Sequence, residues 1–451
     1  MKITEPTEAA RRQRPITIRE WRPTSALFRS AVGAVTMVAV AVLWRRPDLL
    51  VLATPLAVVT VASLLAKPNQ PPTLDEGLDN SVVREGDATT WHGSVGNIRG
   101  ADLVGVAVQP QPWIELDPIF GALCTEVIDG RASASFAVRS TKWGRRILNP
   151  VHLVAMSRWA AFSCSMETSH SSLITLPLPS AFDAAAPMRP TEGLVGLYRS
   201  TRSGDGSEFS SVREFQPGDR IRRINWSRSL RSPTMHVNAT WSDHDTHVAL
   251  VVDATDEFGA SDGVDGAASS LDTSVRAAGA ISEHFARRGD RVSLRTFGST
   301  REQLVAAGTG ETHLRRVLDT LTQIRPAGPM RGTYRETAFQ HWATGGAELT
   351  VVLSPLVARE ALDRAVSLGR HGSPVVIVDT LPDDITVSDD PFTALAWRIR
   401  LLERRREARS VEAVGIPIVA WRGQGSLDQF LRDVARRSSA PRMTKGWTES
   451  A

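Results

Sequence analysis

Two long apolar runs near the N-terminus constrain the fold of this chain more than any other feature. They are ALFRSAVGAVTMVAVAVLW (26–44) and LLVLATPLAVVTVASLLA (49–66), and the short charged stretch RRPD separates them. Each run approaches the length of about 20 apolar residues with which a helix crosses a bilayer. Arg29 lies near one end of its run, where it can reach the headgroups. A cleaved signal peptide would end in small residues, whereas WRRPD follows the first run. The sequence therefore predicts a transmembrane helical hairpin over 26–66.

The basic residues around this hairpin predict its orientation. Those that precede it or lie at its start are Lys2, Arg11, Arg12, Arg14, Arg19, Arg22 and Arg29. Lys67 follows the hairpin, and only Arg45 and Arg46 lie in its turn. Because basic flanks stay on the inner side, we expect a multi-pass protein of the plasma membrane with a cytoplasmic basic tail (1–25) and a cytoplasmic body. The sparse cysteines, which show no CxxC spacing, agree with a reducing compartment.

The chain after the hairpin is expected to form two domains. Beyond the proline-rich exit KPNQPPTL, short apolar stretches between turn residues predict a small β-sandwich-like domain over 74–180. Over 245–440, apolar strands such as THVALVVDAT alternate with amphipathic helices. This alternation predicts a doubly wound α/β domain whose parallel sheet is covered on both faces. Partner or ligand sites of such a domain lie at the carboxyl ends of its strands.

The stretch DATDE at the end of the first α/β strand is a candidate cation site. Asp253, Thr255 and Glu257, together with the distant Thr333, could offer oxygen ligands to Mg²⁺. However, Glu257 stands where a hydroxyl residue would be needed, and the apolar strand TVVLS is followed by no aspartate. We therefore expect a degenerate site and no cofactor, with a largely hydrated Mg²⁺ as the alternative. In the simplest interpretation, Asp253 only caps its loop.

The arginine-rich stretch SVREFQPGDRIRRINWSRSLR is the second candidate site. Its QPGD sequence has Pro and Gly at the central positions of a type II turn, so the chain is expected to reverse there. Beyond the turn, Ile221, Ile224 and Trp226 are expected to form an apolar inner side and the arginines an outward ridge. The candidate residues of this segment (190–243) are Arg213, Glu214, Pro217, Gly218, Asp219, Arg222, Arg223, Trp226, Arg228 and Arg231.

Three interpretations of the arginine ridge are open. Arginines beside a tryptophan can bind single-stranded nucleic acid, but a second aromatic platform is missing, so we expect no nucleic-acid partner. The arginines could instead pair with nearby carboxylates in a purely structural role. The ridge could also dock an acidic protein, because Arg and Trp are frequent hot spots of interfaces. A further stretch, RIRLLERRREARS (398–410), predicts a solvated or interfacial helix face.

Catalysis is not expected, because the common nucleophile, metalloprotease and phosphate-loop motifs are missing from the sequence.

The segment SEFSSVREFQPGDRIRRINWSRSLRS resembles the signature of domain-of-unknown-function family 58. The matching positions are Glu208, Phe209, Arg213, Glu214, Pro217, Gly218, Asp219, Arg223, Ile224, Trp226 and Arg231. Phe215 replaces the usual tyrosine, and Asn225 replaces the usual aspartate. The predicted order of two membrane helices, a β-rich region, this signature and an α/β domain is also usual in that family.

The resemblance implies a fold and partners that the residues alone do not predict. It implies that the α/β domain is von Willebrand factor A-like with a degraded cation site. Such proteins are commonly encoded beside MoxR-type AAA+ ATPases and transglutaminase-like membrane proteins, which become the expected partners besides the lipid bilayer. We therefore expect a non-catalytic, membrane-tethered cytoplasmic adaptor or scaffold in an assembly or chaperone-like system. The alternative is a metal-dependent adhesion or receptor protein.

Overall fold

The computed structural model describes residues 17–18, 20–178, 203–216, 221–241, 247–326, 349–370, 374–383, 385, 390–423, 425–426 and 429–430. The chain divides into two compact units. The first comprises Met1–Leu176 with Gly263–Asp265, and the second comprises Pro177–Asp262 with Gly266–Ala451.

The first unit contains two helices, α1 (Ser25–Leu43) and α2 (Asp48–Leu65), that are long and apolar enough to cross a membrane. They pack against each other, and their buried residues other than Leu27 are small: Ala34, Ala41, Ala53 and Ser63. Small side chains let two helix backbones approach closely. Most of the large apolar side chains of both helices are exposed. The prediction of two long apolar helices within 26–66 is confirmed.

Short strands make up the rest of the first unit. They are β1 (Thr17–Ile18), β2 (Arg22–Pro23), β3 (Thr73–Leu78), β4 (Val82–Arg84), β5 (Ala88–Gly96), β6 (Ala101–Val108), β7 (Ile114–Asp117), β8 (Leu123–Glu126), β9 (Ala132–Ser140), β10 (Gly144–Ile147), β11 (Val151–Ser157), β12 (Phe162–Glu167) and β13 (Ser172–Leu176). Two larger sheets, β3-β5-β9-β7 and β1-β12-β11-β6-β8, accompany a smaller sheet, β10-β13-β4.

Alternation along these strands builds one shared core. In β5 and β9 every second side chain is buried, and the rings of Trp91 and Phe136 stack with centroids 4.8 Å apart. Val104 and Leu153 of the second large sheet belong to the same hydrophobic cluster. The two larger sheets therefore pack face to face as in a sandwich, which agrees with the predicted β-rich region.

Contacts from both ends of the helix pair attach it to the sandwich. The strands β1 and β2 precede α1, and both pair with β12, which follows α2 in the chain. Thr24 caps α1, and its backbone N–H donates to the carbonyl of Ala161 over 2.9 Å. The indole N–H of Trp21 donates to the carbonyl of Gln70, beyond α2, over 3.2 Å. The chain therefore enters and leaves the pair at the same end, as a hairpin requires.

The second unit begins with an antiparallel ribbon of β14 (Ser203–Glu214) and β15 (His236–Trp241). Between these strands lie a 3-10 turn (Ile221–Arg223) and the short helix α3 (Trp226–Ser229).

An α/β sheet follows. Its strands are β16 (His247–Asp253), β17 (Arg291–Phe297), β18 (Leu304–Gly308), β19 (Leu349–Ser354), β20 (Val375–Asp379) and β21 (Ile418–Ala420). Its helices are α4 (Ser270–Arg287), α5 (Glu311–Leu321), α6 (Arg359–Arg370) and α7 (Pro391–Ala413). The strand order is β18-β17-β16-β19-β20-β21, and the pairing is parallel except for β18.

The burial of the strands explains this arrangement. All residues of β19 and β20 are buried, as expected of strands covered on both faces. Val352 and Ile377 share a core cluster with side chains of α6 and α7, whereas α4 contacts α5 and the strands β16, β17 and β19. The predicted alternation of apolar strands and helices is confirmed. In this sheet the order in which strands are added reverses between β16 and β19, which is where such folds place their sites.

Candidate functional site

Three neighbouring strands end in polar residues at the carboxyl edge of the α/β sheet. Asp253, Ser354 and Asp379 are the last residues of β16, β19 and β20. All three are buried. Because parallel strands end on the same edge, the sheet brings together residues that lie far apart in the sequence.

Asp253 is fully engaged by protein donors. Its Oδ1 accepts the backbone N–H of Thr255 over 3.0 Å, and its Oδ2 accepts the hydroxyl of Ser354 over 2.6 Å. The Ser354 hydroxyl oxygen in turn accepts the backbone N–H of Leu356 over 3.1 Å. Burial raises the pKa of Asp253, and the hydrogen bonds from Ser354 and Thr255 oppose that rise.

Thr255 donates to Asp253 from both its backbone and its side chain, whereas Glu257 contacts a different element. Thr255 is buried against Gly298, where an added Cβ would lie 2.6 Å from the Thr255 Cα. Glu257 accepts the hydroxyl of Ser269 over 2.6 Å, next to the capping box of α4. The remaining candidate, Thr333, lies outside the described residues.

Asp379 was missed by the sequence reasoning, although it ends the apolar strand VVIVD. Its Oδ1 accepts the backbone N–H of Leu381 over 3.1 Å and also pairs with the guanidinium of Arg404 on α7. The Nε of Arg404 donates to the carbonyl of Pro355 over 2.8 Å. A guanidinium thus occupies the position beside the second buried carboxylate of this edge.

The oxygen ligands available at this sheet edge do not fit a divalent cation. Mg²⁺ needs several free oxygen ligands at short range, whereas both oxygens of Asp253 already accept hydrogen bonds. Among the described residues, no group of three or more His, Cys, Asp or Glu side chains could hold a metal ion. The edge is chemically a closed hydrogen-bond network around Asp253 and Ser354.

The signature segment takes a defined conformation around Asn225. The Asn225 side-chain oxygen accepts the backbone N–H of Arg228 over 3.1 Å and so caps α3. Its side-chain nitrogen donates to Asn238 of β15 over 2.8 Å. The neighbouring Ile224 is buried and forms a bridge with Val237. These contacts fix α3 against the β14–β15 ribbon.

The predicted inner apolar side of this segment is wrong for two of its three residues. Ile224 is buried, but Ile221 is exposed and Trp226 is 57% exposed. The prediction assumed strand-like alternation, whereas the residues form a 3-10 turn and a capped helix. Leu230 lies one helical turn after Trp226, on the same face, and is 83% exposed.

The arginines differ in their surroundings. Arg222, Arg228 and Arg231 are exposed, and Arg213 and Arg223 are half-buried. Arg213 donates to the carbonyl of Glu214 over 3.0 Å.

The carboxylate of Glu214, at the end of β14, accepts a hydrogen bond from the hydroxyl of Thr234, just before β15, over 3.2 Å. The candidates Pro217, Gly218 and Asp219 lie outside the described residues, so the predicted type II turn stays a prediction.

The exposed side chains of this segment form what we call the signature surface. Its members are Ile221, Arg222, Trp226, Arg228, Leu230, Arg231 and Met235. Tryptophan and arginine are enriched among the hot spots of interfaces, and clustered exposed apolar side chains mark interaction sites. The exposure of the apolar members was not visible in the sequence.

Comparison with known proteins identifies similar sequences for the signature segment and the α/β domain. Residues 211–389 match the profile of a family described as "Protein of unknown function DUF58". Uncharacterized proteins of Mycobacterium bovis and of two strains of Mycobacterium tuberculosis are 32% identical to the chain over 139 residues, which is 30% of this chain and 42% of each relative. The matched region thus spans less than half the length of these relatives. The resemblance to domain-of-unknown-function family 58 is confirmed for residues 211–389.

Proposed function

We propose that the chain is a non-catalytic, membrane-tethered adaptor whose signature surface docks a protein partner. The observation that carries this proposal is the exposure of Trp226 and Leu230 on a helix held in place by Asn225. Burying one leucine-sized side chain contributes about 1.5–3 kcal/mol. A rigid, exposed apolar pair among arginines is therefore suited to binding another protein.

The partner in this proposal is a MoxR-type AAA+ ATPase, and a transglutaminase-like membrane protein is a second component. The family resemblance suggests both. The α/β domain would act as a von Willebrand factor A-like module in an assembly or chaperone-like system. Exposed arginines on the signature surface favour an acidic docking site on the ATPase, because guanidinium groups pair with carboxylates in two-point contacts.

Membrane attachment in this proposal rests on α1 and α2, with the tail and the domains in the cytoplasm. The apolar surface of the helix pair and the positive charge around its ends support this arrangement. The closed network around Asp253 supports a role without metal-dependent adhesion, since that role would need free carboxylate oxygens at the sheet edge.

Binding to a purified MoxR-type ATPase from the same genome tests the docking proposal. The full-length chain would be held in lipid nanodiscs and titrated with the ATPase. We expect Trp226→Ala with Leu230→Ser to weaken binding at least tenfold. We expect Arg228→Ala with Arg231→Ala to weaken binding too, and to make it less sensitive to salt than binding by the parent. Leu304→Ser is the matched control, because Leu304 is 71% exposed on β18, away from the signature segment in the sequence. Unchanged binding by the Trp226 and Leu230 variant would contradict the proposal.

A further inference from the structure

Helix α7 carries an exposed apolar stripe. Phe392, Leu395, Ile399 and Leu402 are all exposed, and Phe392 reaches 81%. Their spacing of three, four and three residues is that of the core positions of a coiled coil. With a rise of 1.5 Å per residue, the stripe is about 15 Å long. We call these four residues the α7 stripe.

The opposite side of α7 is already occupied by its own domain. Arg400 donates to the carbonyl of Val357 over 2.8 Å and pairs with Glu407 over 2.8 Å. Arg404 is bound to the sheet edge, and the ring of Trp397 stacks on Phe258 with centroids 5.5 Å apart. At about 100° per residue, these side chains lie on a different face from the stripe. The helix is therefore fixed, and the stripe faces away from its anchoring contacts.

The charges beside the stripe indicate the chemistry of what binds there. Arg398, Arg405 and Arg409 lie along one flank, and Arg406 continues the line of the stripe; all four are exposed. Glu403 lies on the other flank but contacts Arg400 over 3.3 Å. The surface is thus apolar in its centre and cationic along one flank and at its C-terminal end.

We propose that the α7 stripe binds an amphipathic helix of a partner protein whose apolar seam is flanked by acidic residues. A second copy of α7 is disfavoured, because a parallel copy would place Arg406 against itself, and an antiparallel copy with the two stripes aligned would place Arg398 against itself. A lipid surface would favour a wide apolar face, whereas this stripe has the narrow seam of helix–helix packing. This second surface extends the proposed scaffold role, and its chemistry does not depend on the signature surface.

A pair of synthetic helices tests this inference. Both are three-heptad peptides with leucine at the core positions; one has glutamate and the other has lysine at the flanking positions. We expect the glutamate peptide to bind the full-length chain in zwitterionic nanodiscs, and the lysine peptide to bind at least tenfold more weakly. Ile399→Ser with Leu402→Ser should abolish binding. Arg398→Glu with Arg405→Glu should reverse the preference between the two peptides.

Control variants separate this surface from the others. Leu304→Ser and Arg301→Glu alter exposed residues elsewhere in the second unit and should leave the peptide preference unchanged. Trp226→Ala should also leave it unchanged, so that failure of the α7 inference and failure of the proposed ATPase docking can be told apart. Equal binding of both peptides, or binding that survives the Ile399 and Leu402 changes, would overturn the inference. Displacement of the peptide by anionic vesicles, or loss of a chain dimer in the stripe variant, would overturn it in favour of a lipid surface or a second copy.

Discussion

The stability of the sheet edge depends on the protonation state of the buried residue Asp253. Burial raises its pKa from the ordinary value of 3.8, so the folded chain holds the proton more tightly than the unfolded chain. The resulting stabilisation is complete below the unfolded pKa and is lost as the pH rises through the folded pKa. The free energy of unfolding of this region is therefore expected to fall as the pH rises above about 4.

Asp253→Asn should remove this pH dependence, because the amide does not titrate. The measurement is hydrogen exchange of the amides of β16, corrected for the intrinsic effect of pH. Protection in the parent should decrease as the pH rises, whereas protection in the variant should stay level. Asp363→Asn is a control at an exposed carboxylate. A parent and a variant with parallel pH profiles would contradict the raised pKa.

The sequence predicted the place of Asp253 but not its partners. An apolar run that ends in an aspartate is enough to put a carboxylate at the edge of a parallel sheet. The hydroxyl that binds it belongs to Ser354, and the guanidinium beside Asp379 belongs to Arg404. These contacts depend on which strands are neighbours and on how α7 lies on the sheet, and neither is encoded in local spacing.

At the scale of elements, the helix pair shows how small residues determine packing. Gly33 of α1 faces α2 so closely that an added Cβ would lie 3.3 Å from Leu56 Cδ1. Nearby, the hydroxyls of Ser30 and Thr60 lie 3.0 Å apart. Both contacts require the helices to stay close, as is usual for helices that associate in lipid.

Gly33→Leu should therefore separate the two helices. Overpacking of this kind costs about 1–3 kcal/mol. The expected result is a lower temperature at which monodisperse full-length protein is lost in mild detergent. Val35→Leu is the control, because Val35 is 69% exposed on the same helix. If both variants lose monodispersity at the same temperature, the close packing at Gly33 is not what holds the pair together.

Elements whose sequence has a clear hydrophobic pattern were predictable. The signature segment was not, because its apparent alternation does not correspond to a strand. Both apolar helices and the buried strands follow from the length and composition of their runs. The residues Ile221–Arg223 and Trp226–Ser229 instead form a 3-10 turn and a capped helix, so alternation placed Ile221 and Trp226 on the wrong side. Asn225 was the available signal, since asparagine is a preferred helix cap.

At the scale of the whole molecule, the pairing of β1 and β2 with β12 bears on topology. These strands flank the helix pair on either side in the chain, and they share one sheet. Such long-range pairing cannot be found from the pattern of two-residue strands, so the tail was not expected to join the sandwich. Once the pairing is known, the tail and the sandwich must lie on the same side of any membrane that α1 and α2 cross.

The native cysteines report on which side that is. Cys124 is exposed, whereas Cys164 is completely buried, and burial raises the pKa of the Cys164 thiol and so reduces its reactive thiolate fraction. If the body is cytoplasmic, a membrane-impermeant maleimide should leave Cys124 unmodified in intact cells and modify it after permeabilisation. An added Arg46→Cys lies in the turn between α1 and α2, so it should be modified in intact cells. Cys164 should react only after denaturation. Modification of Cys124 in intact cells would place the sandwich outside, where an adaptor for a cytoplasmic ATPase could not work and an adhesion role would become the better explanation.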